Sequence, residues 1–415
     1  MIKELHLKNW KSFTEGQLYI DPITILIGAN ASGKSNILDA LLFLQKIADG
    51  KQISAAIDGD ADNKGIRGGH EWAITHGFTE ADLTVVIQSD IDEDIDYRYN
   101  IIIGLMGEGK IEVKSESLTR IAASTKGGKK TEKKMFTTSG NDLNLPGISA
   151  YFYTSTQGRG KRIDLRRTYS VLSQSRSLPL LKEVQQSIDE TAQQLSRIFV
   201  LDPIPSHMRG FAKFSDRLQP DASNLAGVLA SLNNGSKQQT ENILTEYLKK
   251  LPEIEIINVW AEPVGLLKSD AMLYCKENWF NREVLTVDAR GMSDGTLRFL
   301  AIMTAMLTLP PKSLLVIEEI DSGFHPSRAK LLVQFLKEVG KSSNIDVLCT
   351  THNPAFLDAL GNEMIVFISA VYRHKETGAS RIKLLEDLAQ LPKLMARGTM
   401  GKLTASGILE EVLSN

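Results

Sequence analysis

Apolar and polar positions alternate over residues 2–8 and again over 17–20, the period of half-buried strands. Ile23-Thr24-Ile25-Leu26-Ile27 then runs without a break, which predicts a central strand covered on both faces. A glycine-rich turn follows, and Ile37, Leu38, Leu41, Leu42 and Leu44 recur at helical spacing. Residues 81–89 and 97–103 predict further strands, a hairpin around the acidic stretch Asp90–Asp96. The stretch 124–147, rich in Gly, Lys, Ser and Thr, reads as a mobile loop. Amphipathic helices are predicted over 178–199 and 236–250, and strands over 254–260, 271–275 and 283–287. A helix over 294–308 is stopped by Pro310-Pro311. Leu314–Ile317 and Ile345–Cys349 are two more central strands, and the tail after 370 adds a small strand and terminal helices. Strands alternating with helices in this way favour a largely parallel sheet.

The pattern divides the chain into an N-terminal lobe (1–110), an insertion with a basic loop and helices (111–250), a C-terminal lobe (251–370) and a tail (371–415). With 42% hydrophobic and 24% charged residues the composition is that of an ordinary water-soluble protein. The net charge of -2 confines any nucleic-acid contact to local patches. Neither a signal-peptide core nor a membrane-length apolar run is present, so a cytoplasmic protein without membrane contact is expected. Cys275 and Cys349 lie in apolar strand-like segments and read as buried, inert thiols rather than a zinc site or a disulfide.

Candidate chemistry begins in the turn after the first central strand. Gly28-Ala29-Asn30-Ala31-Ser32-Gly33-Lys34-Ser35 is a complete G-x-x-x-x-G-K-S between a strand and a helix. Its glycines let backbone N–H groups curl inward onto phosphate oxygens, and the helix N-terminus adds positive potential there. Lys34 is placed to bridge the β- and γ-phosphates and Ser35 to ligate Mg²⁺. Glu318 and Glu319 emerge at the end of Leu314–Ile317. In such a site the first carboxylate orders the metal shell, and the second polarises the attacking water as general base. His352, at the tip of the next strand, is placed to sense the γ-phosphate if the two strands are neighbours. Gly291-Met292-Ser293-Asp294-Gly295-Thr296 precedes a helix; alone, Ser293 or Asp294 is a plain N-cap.

Together these elements resemble the ABC ATPase superfamily: Walker A (Gly28–Ser35), signature (Met292–Thr296), Walker B (Leu314–Glu319), D-loop (residues 321–326) and His switch (His352). The resemblance implies an α/β ABC-type head with a mixed, largely parallel central sheet, N-terminal antiparallel strands and a helical insertion. It also implies ATP and Mg²⁺ as ligands, and a homodimer or higher oligomer in which Ser293 and the Gly295 amide of one copy cover the ATP of the other. The late signature resembles the SMC, RecF and OLD branch, as do Asn9-Trp10-Lys11-Ser12-Phe13, Asn30 and Thr351-His352-Asn353-Pro354. Glu318 to Pro326 looks like the E-E-I-E-x-G-L-H-P element of stand-alone OLD-like AAA-type ATPases of anti-phage systems, and Asp221–Ala226 like their D-G-S-N-L-A segment.

The sequence departs from that pattern in places. Glu318 stands where an aspartate is usual, and the signature reads Met-Ser-Asp-Gly-Thr. The resemblance implies a metal-contacting glutamine, for which Gln174 is preferred over Gln88 and Gln157. Residues 371–415 are too short for a Toprim nuclease and lack Asp-x-Asp. These features imply the ATPase component of an anti-phage complex acting with a separate effector such as a Toprim or HNH nuclease. The alternatives are a RecF-like DNA-binding repair ATPase and, less compatible with the late signature, a transporter motor. DNA contact would use the clusters Lys126, Lys129, Lys130, Lys133, Lys134 and Arg159, Lys161, Arg162, Arg166, Arg167, although basic residues on solvated loops read the same way.

Overall fold

A computed structural model describes residues 1–414 apart from 62–63, 107–108, 123–129, 140–145, 154–159, 252–254, 279–282 and 325, and gives 326, 327 and 414 as backbone only. Its centre is a six-stranded sheet in the order Ile198–Leu201, Leu314–Ile317, Asp346–Thr350, Ile23–Ile27, Ile368–Arg373, Ser380–Leu384. The first five strands run parallel and the last antiparallel, so the sheet is mixed and largely parallel as expected.

The unbroken apolar runs have a direct cause, because each face of this sheet supports its own core. Leu26, Leu314, Val316 and Leu348 enter one, whereas Ile25, Ile27, Leu315, Ile317, Val347 and Cys349 enter the other. In the first core the helix Lys34–Ala48 is sandwiched between the central sheet and an eight-stranded antiparallel sheet, which buries Ile37, Leu38, Leu41, Phe43, Leu44 and Ile47. In the second, Asp294–Thr308 and Pro326–Ser343 cover the opposite face, together with a four-stranded sheet built around Ile256–Val264 and Asp270–Asn278.

The eight-stranded sheet takes in Ile2–Trp10, Phe13–Tyr19 and every described strand from Glu80–Gln88 to Lys161–Arg166. This corrects two expectations. The stretch 124–147 contains the strand Thr131–Ser139. Only Met135 and Phe136 are buried there, so its composition resembled a loop. The described residues in the first part of the insertion are thus mostly strand where a loop is expected, and a boundary at 110 falls inside one sheet, between the paired strands Ile95–Leu105 and Ile111–Ala122. A boundary at 370 likewise cuts Ile368–Arg373, whose hairpin with Ser380–Leu384 completes the central sheet. Both cysteines are buried, and burial pushes both thiols above their usual pKa. No described helix is long and apolar enough to cross a membrane.

Candidate functional site

The C-terminal ends of the parallel strands converge on one cleft, the usual place for a ligand in an open α/β sheet. It is lined by residues 30–36 of the glycine-rich turn together with Glu318, Glu319, Thr350 and Arg373. The turn needs its glycines for space as well as for torsion. Gly28 has φ +146°, and a Cβ there would sit 2.0 Å from the Val371 carbonyl oxygen; Gly33 has φ +116°, and its Cβ would meet Ser380 Oγ at 2.5 Å. Ala31 is also left-handed, at φ +64°.

Lys34 opens the following helix and turns its Nζ back into the loop, donating to Gly28 O at 2.6 Å and Ala29 O at 3.0 Å. Burial lowers the Lys34 pKa, opposed by the charges of Glu319, Glu318 and Glu410. Ser35 Oγ donates to Glu318 Oε1 at 2.5 Å, joining groups 283 positions apart in sequence. A hydroxyl and a carboxylate at this separation are a hard-oxygen donor set that suits Mg²⁺.

Glu319 follows with φ +47°, a left-handed conformation that is strained for a non-glycine residue. The strand end is held in it by Glu319 N donating to Thr350 Oγ1 (2.8 Å) and by Ser322 N donating to Glu319 O (2.8 Å). Leu314–Ile317 and Asp346–Thr350 are neighbours, as the His352 reading required. His352 Nδ1 stands 3.8 Å from Glu319 Oε1, within ion-pair range but beyond a hydrogen bond, and both side chains are half exposed.

Not every expected residue reaches the cleft. Ser293 caps the helix Asp294–Thr308, its Oγ accepting from Thr296 N, and Gly295 is buried in the first turn. Neither lines the cleft of its own chain. Arg209 fixes this element by donating to the carbonyls of Ala289, Arg290 and Met292 and to Asp294. A Cβ on Gly295 would lie 2.7 Å from Gly323 O, so the element packs directly on the segment after Glu319. Gln174 also does not line the cleft: its amide donates to the carbonyls of Arg166, Tyr169 and Ser170, and its Oε1 accepts from Arg166 N. Gln88 donates to Glu93 O, and Gln157, Lys126, Lys129, Arg159 and His325 lie outside the described residues.

Sequence reasoning missed Arg67. Its guanidinium donates to both Glu318 oxygens (2.7 and 3.1 Å), to Asp39 Oδ1 (3.2 Å) and to Ser35 O (3.3 Å). Burial pulls the Arg67 pKa down, but Glu318 and Asp39 outweigh it and leave it raised. No motif marks Arg67; it belongs to the polar connection after a short helix and reaches the site only through folding. Lys11 Nζ completes the network, donating to Asp39 Oδ2 at 2.5 Å and to Arg67 O at 2.7 Å. The Lys11–Asp39 pair is almost fully enclosed. Asp39→Ala leaves an unpaired buried ammonium, so a loss of about 3–5 kcal/mol in stability is expected from urea unfolding. A loss below about 1 kcal/mol contradicts the enclosed pair.

Residues 1–357 match the family described as AAA ATPase domain. Short segments match two chromosome partition proteins Smc. The one from Methanococcus voltae is 44% identical over 55 residues, 13% of this chain and 5% of that protein. The one from Synechocystis is 39% identical over 82 residues, 19% of this chain and 7% of that protein. The matches thus span a small fraction of those relatives' length. Among solved structures, an Smc head bound to the C-winged helix domain of ScpA is similar with a TM-score of 0.50 at 15% identity, covering 92% of this chain and 97% of that one. That likeness is one of fold: an SMC-head-like α/β arrangement with an antiparallel and a mixed sheet, as in ABC ATPase heads.

Proposed function

The chain belongs to the AAA ATPase domain family, and from that premise we propose that it binds ATP with Mg²⁺ in the Gly28–Ser35 loop and hydrolyses it to ADP and phosphate. The observation that carries this reading is the meeting of Ser35 with Glu318 beside Lys34 in one cleft. The inward N–H groups of the loop and Lys34 hold the β- and γ-phosphates. Ser35 and Glu318 would hold the magnesium, which supplies Lewis-acid stabilisation of the charge on the phosphates. Glu319 takes a proton from the attacking water as oxygen bonds to the γ-phosphorus and the bond to the β-phosphate oxygen breaks. His352 orients toward the γ-phosphate from the neighbouring strand.

The same reading completes the site in trans. Ser293 and Gly295 do not line the cleft of their own chain, which fits a signature that closes on the ATP of a second copy. Ser293→Arg is expected to leave ATP affinity within about threefold of wild type while turnover falls at least about 100-fold, the scale of losing one preorganised donor. Radiolabelled ATP binding and phosphate release on the same preparation test this. Normal turnover by that variant excludes closure through Ser293.

The role we favour is that of the ATPase component of an anti-phage complex with a separate effector nuclease. It is supported by the resemblance of the segment beginning Glu318-Glu319-Ile320-Asp321 to the OLD-like group. A RecF-like DNA clamp is less well supported, because the basic clusters are broken up: Arg162 pairs with Asp164, Lys133 pairs with Glu183, and Arg167 is buried. A pull-down of Glu319→Gln protein from its host separates the two. A stoichiometric nuclease supports the first role, whereas DNA and replication proteins alone support the second.

A further inference from the structure

The walls of the phosphate loop are not all supplied by its own strand and helix. The hairpin formed by Ile368–Arg373 and Ser380–Leu384 lies against the outside of the loop. Arg373 Nε donates to Ala31 O at 2.9 Å and its Nη1 to Gly378 O at 2.7 Å, tying the loop to the hairpin turn. Ser380 is fully buried; its Oγ donates to Ser32 O at 2.5 Å and lies 2.7 Å from Ser12 Oγ, which in turn accepts from Asn36 Nδ2. Ser380 N also donates to Ser12 O at 2.8 Å.

We propose that Arg373 and Ser380 are positioning residues that hold the loop in the form that receives a nucleoside triphosphate, an inference that rests on the ATP reading above. Peptide geometry gives the reason. A trans peptide points its N–H opposite to its C=O, and none of the described peptide bonds is cis. Holding the Ser32 carbonyl outward on Ser380 therefore aims the Gly33 N–H away from the hairpin, into the loop. Holding the Ala31 carbonyl on Arg373 likewise aims the Ser32 N–H inward, where it closes the loop on Ala29 O at 3.2 Å. Ala31 keeps its left-handed torsion under this constraint. Arg373 also lines the cleft, so its charge adds to the field that draws the phosphates in. The hairpin thus converts residues from the far end of the sequence into part of the anion cradle.

The test compares wild type, Arg373→Ala, Arg373→Lys and Ser380→Ala in the full chain. Equilibrium binding of ATP with magnesium, melting temperature without nucleotide, and KM and kcat are measured for each. Arg373→Ala is expected to weaken ATP binding about tenfold, equivalent to about 1.4 kcal/mol. The loss should appear in KM more than in kcat, and the nucleotide-free melting temperature should be little changed because Arg373 is exposed. Arg373→Lys retains one donor for Ala31 O and should bind with intermediate affinity. Ser380→Ala should weaken binding in the same direction. Unchanged ATP affinity in Arg373→Ala, or a loss that follows a fall in melting temperature and is not relieved by lysine, overturns the inference alone. Wild-type protein that binds no ATP overturns the ATP reading, and this inference with it.

Discussion

Lys34→Ala lowers ATP affinity by about 2–5 kcal/mol, a loss of some 30-fold to several thousand-fold, the range for truncating one partner of a buried charge pair. The expectation follows from where the ammonium sits. Lys34 Nζ is held by Gly28 O and Ala29 O within the loop that we propose receives the phosphates. Burial partly withdraws its charge from water and lowers its pKa, so a phosphate there would interact with it more strongly than across bulk solvent. Among the described residues, the other cations near the cleft are held elsewhere: Arg67 donates to Glu318 and Asp39, and Arg373 donates to carbonyls of the loop and the hairpin, so its charge adds to the field without taking the place of Lys34. Fluorescent-ATP titration of wild type and variant measures the difference. A change below about threefold contradicts the assignment of the loop.

Glu319→Gln separates binding from chemistry. The glutamine keeps the size and left-handed backbone position of Glu319 but cannot accept a proton from water. General-base catalysis contributes about 10²–10⁴-fold, so single-turnover phosphate release should slow by that factor while ATP affinity stays within a few-fold. The position is marked by its strain at φ +47°, and its carboxylate stands 3.8 Å from His352 Nδ1. Turnover at the wild-type rate sinks the base assignment and leaves His352 without a partner in the mechanism.

The parts of the site legible in sequence were those written in contiguous residues. Gly28–Ser35 carries its own strand, turn and helix, and Leu314–Glu319 carries a buried run that ends in carboxylates, so local pattern sufficed. The central sheet was legible for the same reason, since strands buried on both faces leave unbroken apolar runs. What failed depended on pairing at long range. Thr131–Ser139 has one solvated face and few buried residues, so only its partners in the sheet identify it as a strand. Gln174 is preferred because Val171–Gln174 precedes a helical pattern, but its amide is occupied by nearby backbone. Arg67, Asp39 and Arg373 carry no motif, and their roles come from side chains that reach across the fold.

The central claim is that ATP closes two copies of this chain on each other. Light scattering on Glu319→Gln protein, eluted with and without ATP and magnesium, tests it most directly. The expected result is the mass of one chain, 45.8 kDa, without nucleotide and twice that mass with it, the doubling being lost when Ser293→Arg is added. A single-chain mass that persists with ATP demonstrably bound would contradict closure in trans.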